Sequence, residues 1–560
     1  MKKFLPVFLF VFIFYSDVFS QTTIPPLNIG DLKVDASVSN LLRYGNGYEY
    51  FNTTKAPKEY FENLTDARLS INDVILGLRY EISDPIEYGV DFKGIKKRFI
   101  EYNHKIGVSL RAGDFYDIYS RGLTLNVFEE RALAYDTGID GIRLTYKNKF
   151  SDNKQNPLDF RTQIIGGDLE YRDFLVLSRV EKYKIRNVNF DFSPIKQVKF
   201  GGSYIYSLGD IPNADVTTNI KAYLPEVNMT VNLPDFEFYT GYARKHINTS
   251  PNTLYPQAIS ADGDGLYSSV SYTKGSVGMT LEYKNYRFDL TNPDNRSPDR
   301  PTKMLPFQNP PTAVKEHTYT LISRNPHVVN FNDEVGGQLD VLYVVNDKLT
   351  LNLNAAVASE HYEYIDSDST SRLVFARVDR SDNFIPNFNK AFSPYWEAFV
   401  EAEYLADPKW TFKGAYCRQY STLYNYEFPA NSKIDHFTTV PLEVKYIINK
   451  TYALKLNMEQ QWAYSSIRIN QKSFMNQYIS LNLTKSPELS LSVNAEFTND
   501  DEEPTGKKFW AQGEALYRLN QSNTVIVSYG SERGGLKCTN GICRFVNPFE
   551  GFRLTIQSQF

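Results

Sequence analysis

The chain has 560 residues, of which 22% are charged and 15% are aromatic, and its formal net charge is −4 at pH 7. This balance excludes a strongly basic nucleic-acid-binding surface, and three cysteines are too few for a disulfide-stapled scaffold. A mean hydropathy of −0.41 together with 40 Tyr and 38 Phe is typical of a membrane β-barrel with aromatic girdles and a wet interior, or of a large secreted β-sandwich or propeller.

The amino-terminus predicts export. Two lysines precede an apolar run over residues 4–15, and small or neutral residues follow at 18–20. This pattern predicts a secretory signal peptide of residues 1–20, cleaved between Ser20 and Gln21. A short transmembrane anchor is the alternative, but the run is too short to cross a bilayer comfortably. Beyond it no stretch approaches about eighteen consecutive apolar residues, so the sequence predicts no membrane-spanning helix.

From Gly30 onward the sequence predicts strands joined by turns, with no sustained helical period. Apolar and polar residues already alternate over residues 32–38, after a short amino-terminal segment at 21–30. We therefore predict one barrel domain over residues 31–560, with no room for a plug domain ahead of its first strand. A TonB-dependent transporter would need such a plug, so the sequence disfavours that class.

The predicted connections alternate in length along the chain. Short turns rich in Gly, Pro, Asn and Asp are predicted at 83–85, 193–194, 234–235, 274–275, 346–348, 407–408, 449–450, 486–488 and 521–523. Longer connections are predicted at 46–70, 246–264, 292–333, 366–392, 425–437, 465–474, 499–506 and 531–550. This alternation is typical of an outer-membrane barrel, with short turns in the periplasm and long loops outside.

The predicted strands keep a two-residue period. Leu491, Val493 and Phe497 share one face of a strand, whereas Ser492 and Glu496 share the other. A dry core does not tolerate charges at such alternate positions, and closing the sheet removes its edges, as lipid requires. The sequence therefore predicts an all-β fold: a single large antiparallel transmembrane β-barrel of about 24 strands, within a range of roughly 20–26, and without a plug domain.

The stretch between residues 111 and 191 resists assignment to strands, and part of it is predicted to fold inward. A candidate inward segment is rich in opposite charges, namely Arg111, Asp114, Asp117, Arg121, Glu129, Glu130, Arg131 and Asp136. Facing Arg and carboxylate groups set the ion preference of a pore when they form a ladder along it. The alternative, which we favour, is an ion-paired structural network that braces the segment.

The predicted loops carry no catalytic signature. The proline-rich loop at 292–333 is predicted either to fold over the barrel mouth as a lid or to remain a solvated surface loop. Acidic tips at 262–265 and 500–503 lack the spacing of an EF-type calcium loop. The six histidines are scattered, and no hydrolase or nucleotide-binding motif occurs. We therefore predict no catalytic, cofactor-binding or metal-binding residue, with a hydrolase at the barrel rim as the weakest alternative.

Two of the three cysteines lie in one predicted loop, at residues 538–543 (Cys-Thr-Asn-Gly-Ile-Cys). Asn-Gly is the preferred centre of a two-residue type I′ hairpin. In that hairpin Cys538 and Cys543 form a non-hydrogen-bonded pair with Cα atoms about 4.5 Å apart, which suits a disulfide. Since an exported chain meets an oxidising environment, we predict a Cys538–Cys543 bridge. Cys417 lies on the polar phase of its strand and is predicted to be a free thiol facing the lumen.

The last predicted strand ends the chain on an aromatic residue. Phe552, Leu554, Ile556 and Phe560 line one of its faces, and polar residues line the other. A transmembrane barrel strand turns such an apolar face toward lipid. We predict that the barrel-assembly machinery inserts the protein through this strand, whose end lies in the periplasm. The preceding connection, 531–550, is then expected outside the cell.

Two patches of the sequence resemble a known family. Residues 534–538 (Gly-Gly-Leu-Lys-Cys) and 543–552 (Cys-Arg-Phe-Val-Asn-Pro-Phe-Glu-Gly-Phe), with the closing Phe560, are similar to the carboxy-terminus of a family of uncharacterised outer-membrane proteins of Gram-negative bacteria. Residues 119–123 and 136–143 are similar to the amino-terminal half of the same family. The resemblance implies an outer-membrane location and a barrel fold. Because the family has no assigned activity, the resemblance implies no catalytic residue.

These features predict a non-enzymatic outer-membrane barrel that acts as a porin-like channel or plug-less transporter for an unknown solute. The alternative is a structural or assembly component of secretion or surface machinery, whose loops or lumen dock a protein and which transports nothing. The predicted partners are outer-membrane lipid, the barrel-assembly machinery during insertion, and an unidentified solute or protein. No nucleic acid and no cofactor are expected.

Overall fold

The computed structural model describes residues 27–30, 32–149, 159–174, 176–213, 216–291, 300–366, 375–378, 383–539 and 541–560. The predicted signal peptide lies outside these residues. The main sheet has 25 strands, and the short strand Leu27–Ile29 pairs only with the strand that follows it. The remaining 24 strands, 25 less this one, form a closed antiparallel barrel. The predicted all-β barrel of about 24 strands is confirmed.

We number the barrel strands β1–β24 in chain order. The first half comprises β1 (Leu32–Phe51), β2 (Thr54–Ile71), β3 (Val74–Ser83), β4 (Phe92–Asn103), β5 (Val108–Phe115), β6 (Ile139–Lys149), β7 (Asp159–Arg172), β8 (Val180–Ile195), β9 (Val198–Asn213), β10 (Val216–Asn232), β11 (Phe236–Thr249) and β12 (Ser260–Lys274). The second half comprises β13 (Val277–Arg287), β14 (Glu334–Asn346), β15 (Leu349–Ser359), β16 (Tyr395–Leu405), β17 (Trp410–Leu423), β18 (Lys433–Ile447), β19 (Tyr452–Ser465), β20 (Ser473–Lys485), β21 (Leu489–Thr498), β22 (Phe509–Arg518), β23 (Asn523–Glu532) and β24 (Phe549–Gln559).

Each barrel strand pairs with its neighbours in the chain, and β1 also pairs with β24. That seam runs from Ser39 opposite Gln559 to Glu49 opposite Phe549. The seam closes the sheet, so that no strand edge is left to be satisfied in lipid.

Shorter elements lie outside the barrel wall. Short strands pair as Asp117–Tyr119 with Leu125–Val127, Glu129–Glu130 with Tyr135–Asp136, Glu363–Asp366 with Phe375–Val378, and Gly535–Thr539 with Ile542–Val546. Helical turns occur at Ser120–Gly122, Arg131–Leu133, Thr320–Ser323, Lys390–Phe392 and Pro429–Asn431. No helix in the described part of the chain is long and apolar enough to cross a membrane.

Short connections gather at one end of the barrel, which we call the turn end, and most long connections gather at the other, the loop end. One predicted long loop is wrong, because residues 46–70 continue β1 and β2, which pair as far as Phe51 opposite Thr54. Asn52 adopts the left-handed conformation of a tight turn, with φ 53°. Asn tolerates this conformation almost as well as Gly does. A two-residue turn therefore forms here although the sequence has no glycine at this point to indicate it.

The outer face of the barrel is apolar and the lumen face is polar. On β21, Leu491 and Val493 expose 41% and 62% of their surface, whereas Glu496, on the opposite face, exposes 6%. In water, a continuous band of apolar side chains on the outer face would stay exposed, which is unfavourable in free energy. Contact with hydrocarbon removes this free-energy cost, so the apolar band is the surface that a bilayer covers.

The hydrophobic core lies inside the lumen, on the side of β6–β11. Tyr119, Leu125 and Phe307 are almost completely buried and belong to the same cluster as the wall residues Ile185 and Ile205. The first three residues come from loop-end connections, not from barrel strands. The loop-end connections therefore fold back into the barrel and pack against its inner wall.

The prediction of a barrel without a plug domain is wrong, because parts of the chain occupy much of the lumen. These parts are the first inner segment (116–138), the second inner segment (300–333) and the cysteine hairpin (535–546). The early start of β1 argued only against a plug ahead of the barrel. Apolar residues in later connections are also stabilised by burial, and in this fold they are buried inside the barrel.

Candidate functional site

The two inner segments form one hydrogen-bonded body in the lumen. The Asn309 N–H donates to the Gly122 carbonyl oxygen at 3.1 Å, and the Asn126 N–H donates to the Phe307 carbonyl oxygen at 2.8 Å. Gly122 has φ 87°, and a Cβ at this position would lie 2.2 Å from the Asn309 carbonyl oxygen. Only glycine fits there, since it accepts both the positive φ and the close approach of backbone.

The second inner segment crosses the lumen and is bound to the wall on both sides. On β11, the Lys245 ammonium donates to the carbonyl oxygen of Thr302 at 2.5 Å. On β19, the Glu459 carboxylate accepts the N–H groups of Thr320 and Leu321 at 2.8 and 2.7 Å. These contacts take the place of the hydrogen bonds to water that a solvent-exposed loop would make. Residues 292–299 of the predicted loop lie outside the described residues.

The cysteine hairpin carries the predicted disulfide, which is confirmed. Cys538 and Cys543 are bonded and lie opposite each other, with Cα atoms 4.1 Å apart. The hairpin folds into the barrel mouth instead of extending from it. The Arg544 guanidinium donates to the carbonyl oxygens of Leu133 and, at 2.8 Å, Ala134. The hairpin is therefore attached to the first inner segment.

A cluster of charged groups ties the first inner segment to the wall strands. The Glu129 carboxylate lies 2.7 Å from the Arg79 guanidinium and 2.8 Å from the Lys97 ammonium. Burial alone would disfavour the charged carboxylate, but Lys97 and Arg79 outweigh it and lower the pKa of Glu129 to about 2. Glu129 is therefore ionised at neutral pH and holds both cations at the cavity side of the segment.

Arg131 and Asp136 enlarge this cluster. The Arg131 guanidinium lies 3.3 Å from carboxylate oxygens of both Glu62 and Glu81, which are almost fully buried. Asp136 lies 3.3 Å from Lys97. The ion-pair cluster thus joins the first inner segment to β2, β3 and β4. Whether it sets an ion preference or only braces the segment stays a prediction.

The other predicted charges have separate partners. The ion pairs are Asp117 with Arg143 at 3.2 Å, Arg111 with Glu101 at 3.3 Å and Arg121 with Glu237 at 3.2 Å. The backbone contacts are Asp114 with the Arg98 N–H at 2.7 Å and Glu130 with the Ala132 N–H at 3.1 Å. The predicted residues therefore do not form one continuous ladder.

Sequence reasoning missed the wall residues that complete the ion-pair cluster: Glu62, Glu81, Arg79 and Lys97. A signal for them was present, because Arg79 and Glu81 stand at alternate positions of a strand whose other neighbours, Leu78, Tyr80 and Ile82, are apolar or aromatic. A charge at an alternate position of a barrel strand points into the lumen. Its partner there comes from a connection further along the chain, which strand periodicity does not reveal.

The apolar face of β24 lies on the outside of the barrel. Phe552 is opposite Tyr529, which exposes 72% of its surface, and Leu554 and Ile556 share the phase of Phe552. Phe560 is 42% exposed and exchanges two backbone hydrogen bonds with Val38 at 3.0 and 2.8 Å. The chain end is thereby paired into the barrel seam. The role of these residues in insertion stays a prediction.

A cavity of about 1000 Å³ separates the first inner segment from strands β1–β5. Its lining begins near the turn end with Ser37 and Gln559 and reaches Tyr88 and Val90 in the connection after β3, at the loop end. Glu129 and the other members of the ion-pair cluster line its middle. The barrel is therefore filled on one side and hollow on the other.

Two arginines and one aromatic ring line the cavity below the ion-pair cluster. The guanidinium carbons of Arg68 and Arg111 lie 5.9 and 3.5 Å from the centroid of the Phe99 ring. Arg111 also has the carboxylate of Glu101 as a partner. Arg68 makes no ion pair with any residue that the structure describes. A positive charge without a carboxylate partner thus faces the cavity.

The chain matches the model of DUF6029, a family of unknown function, over residues 1–560. No functionally curated protein matches it. Among solved structures, it is similar to the siderophore receptor PirA from Pseudomonas aeruginosa, at 9% identity over 96% of this chain and 81% of that chain, with a TM-score of 0.44. It is also similar to a mutant of the ferric enterobactin receptor PfeA from the same organism, at 8% identity over 94% of this chain and 80% of that chain, with a TM-score of 0.41. The copper transporter OprC is similar at 10% identity over 96% of this chain and 81% of that chain, with a TM-score of 0.39.

At these identities the likeness concerns the fold alone. The chain forms a closed antiparallel barrel of 24 strands, the architecture of Gram-negative outer-membrane proteins.

Proposed function

Because the chain belongs to DUF6029, a family of unknown function, we propose a function from its geometry: an outer-membrane transport channel for a small solute. The solute moves along the cavity between the first inner segment and β1–β5. The observation that carries this proposal is the reach of the cavity lining, from Ser37 near the turn end to Tyr88 at the loop end. Apolar packing fills the opposite side of the lumen, so the passage is confined to this cavity.

One charge in the cavity lining acts on the ion preference of the passage near its turn end. Arg79, Lys97 and Arg131 each have carboxylate partners within 3.3 Å, so their charges are compensated. Arg68 has none among the described residues, and it lies over an aromatic ring that keeps its guanidinium in place. The guanidinium of Arg68 therefore presents an unpaired positive charge near the turn end of the cavity, and at that position it favours an anion over a cation.

The remaining assignments follow from a location in the outer membrane. We assign residues 1–20 to a signal peptide that is cleaved after Ser20, and we place the loop end outside the cell. Outer-membrane lipid covers the apolar band, and the barrel-assembly machinery inserts the barrel through β24. Transport down a gradient requires no catalytic residue, and we assign no enzymatic activity to the chain.

Conductance of the purified mature protein in a planar bilayer tests the proposal. In a salt gradient the reversal potential gives the anion-to-cation permeability ratio of the passage. Arg68→Gln removes an interaction of about 1 kcal/mol and should lower the anion-to-cation permeability ratio about 5-fold. Lys274→Gln is the matched control, because Lys274 is exposed at the end of β12, outside the cavity lining, and is paired with Asp235 at 3.1 Å. Absence of current, or an unchanged ratio in Arg68→Gln, would contradict the proposal.

A second candidate function is a structural component of secretion or surface machinery that docks a protein partner. It is favoured by an apolar patch at the loop end, where Phe384, Ile385 and Phe388 expose 65%, 61% and 58% of their surface. A wild-type barrel that carries no current, with a co-purifying protein that is lost in Phe388→Ser, would select this function over transport.

A further inference from the structure

Three metal-ligating side chains meet where the second inner segment touches the wall. His317 belongs to that segment, Glu397 to β16 and Cys417 to β17. One ligand atom from each, a ring nitrogen, a carboxylate oxygen and the thiol sulfur, lies within 4.8 Å of the other two. His317 Nε2 is 2.7 Å from Glu397 Oε1, and their side chains expose 5% and 1% of their surface. Cys417 is the free cysteine and is buried.

The donor set suits Zn²⁺, which takes imidazole nitrogen, thiolate and carboxylate ligands in a tetrahedral arrangement. Bond lengths of about 2.0–2.3 Å would place the three donor atoms roughly 3.3–3.7 Å apart. The 2.7 Å contact between His317 and Glu397 must therefore open slightly, and the sulfur must move closer. His317 lies on a connection and not on a barrel strand, so it can make this adjustment without disturbing the wall.

The surroundings of the three donors also indicate a bound ion. Glu397 Oε2 accepts hydrogen bonds from the Tyr395 hydroxyl at 3.0 Å and from Gln419 Nε2 at 2.9 Å. Such contacts orient a carboxylate so that its other oxygen faces the metal. Gln419 is 3% exposed, and its amide oxygen has no hydrogen-bond partner among the described residues.

A small cavity supplies room for a fourth ligand. It has a volume of about 120 Å³, and its lining includes His317, Glu397 and Gln419. A buried amide oxygen without a partner costs free energy unless water or a cation satisfies it. The Gln419 oxygen, directly or through a water molecule in this cavity, completes a four-coordinate site.

We propose that His317, Glu397 and Cys417 bind one Zn²⁺, which fastens the second inner segment to the barrel wall. On binding, the Cys417 thiol releases one proton to the solvent, and His317 coordinates through a ring nitrogen that carries no proton. Two positive charges on the ion then meet one negative charge on the thiolate and one on the carboxylate. The buried centre is neutral, which removes the cost of an isolated ion in the protein interior.

Cobalt substitution in the full-length barrel, purified in detergent and stripped with a chelator, tests the site. Co²⁺ should bind one equivalent per chain and give the near-ultraviolet charge-transfer band of a thiolate ligand, and one equivalent of Zn²⁺ should abolish that band. Cys417 is the only cysteine outside the disulfide, so the band reports this residue. A folded wild-type barrel that shows no band would overturn the proposal, whatever the variants do.

Variants separate ligands from neighbours. Cys417→Ser should remove the band and weaken Zn²⁺ binding at least about 100-fold, and Gln419→Leu should keep the band but weaken binding about 10- to 100-fold. His246→Gln is the control, since His246 lies on β11, away from the site, and pairs with Asp262 at 2.8 Å. Heat-dependent migration in gels shows whether each barrel is folded. Equal Zn²⁺ affinity in folded Cys417→Ser and wild type would contradict the assignment.

Discussion

Replacing Glu129 with Gln removes the charge that ties the first inner segment to the wall. The carboxylate is 14% exposed and lies 2.7 Å from Arg79 and 2.8 Å from Lys97. Its pKa falls from the ordinary value of 4.5 to about 2, which corresponds to roughly 3 kcal/mol of attachment energy. Since the barrel strands do not depend on this contact, Glu129→Gln should release the segment and leave the barrel folded.

Hydrogen exchange measured by mass spectrometry follows this release directly. A loss of roughly 3 kcal/mol raises the population of the released segment on the order of 100-fold, so the amides of residues 116–138 should exchange faster by that factor. Single-channel conductance should rise, because the segment forms one side of the cavity. The control is Glu130→Gln, since Glu130 accepts only the Ala132 N–H at 3.1 Å among the described groups.

The same attachment depends on pH with a defined sign. The folded-state pKa of Glu129 lies below its ordinary value, so the contribution is complete above about pH 4.5 and is lost as the pH falls through 2. The protection factor of the first inner segment, which is the intrinsic exchange rate at each pH divided by the observed rate, should therefore fall on acidification in the wild type and respond less in Glu129→Gln. Unchanged protection in Glu129→Gln, or an equal effect of Glu130→Gln, would refute the reasoning.

Three further changes test other parts of the structure. Replacing Cys538 and Cys543 by Ser removes about 2 kcal/mol of loop constraint, so limited proteolysis should cut the hairpin faster while the barrel keeps its heat-dependent migration. Gly122→Ala should loosen both inner segments, because a Cβ would lie 2.2 Å from the Asn309 carbonyl oxygen; hydrogen exchange of both segments measures this. Leu554→Arg places a charge on the lipid face and should destabilise the barrel by about 2–4 kcal/mol in urea unfolding from vesicles, whereas Leu554→Ile should not.

The barrel itself was predictable because each strand carries its own local signal. Leu491 and Val493 alternate with polar residues, and tight-turn residues mark the strand ends, so neither feature needs information from distant residues. The disulfide was predictable for the same reason, since Asn-Gly fixes the hairpin between Cys538 and Cys543. The inward position of that hairpin was not predictable, because it depends on contacts between Arg544 and residues more than 400 positions earlier.

The filling of the lumen left no local signal. Leu305 and Phe307 belong to a connection without a period, and their packing depends on the first inner segment, where the Gln308 amide donates to the Leu123 carbonyl oxygen at 2.9 Å. Only three of the seven members of the ion-pair cluster were predicted, for a related reason. Glu129 and Arg131 stand out in a short charged stretch, whereas Arg79 is one charge on an ordinary strand.

Accessibility of the cavity to a charged thiol reagent tests the transport claim most directly. Ser37→Cys places a thiol in the cavity lining near the turn end, and Ser207→Cys places one at a fully buried position of β9. A negatively charged methanethiosulfonate should reduce the single-channel current of Ser37→Cys and leave that of Ser207→Cys unchanged. A current that persists in modified Ser37→Cys, or falls equally in both variants, would contradict a passage along this cavity.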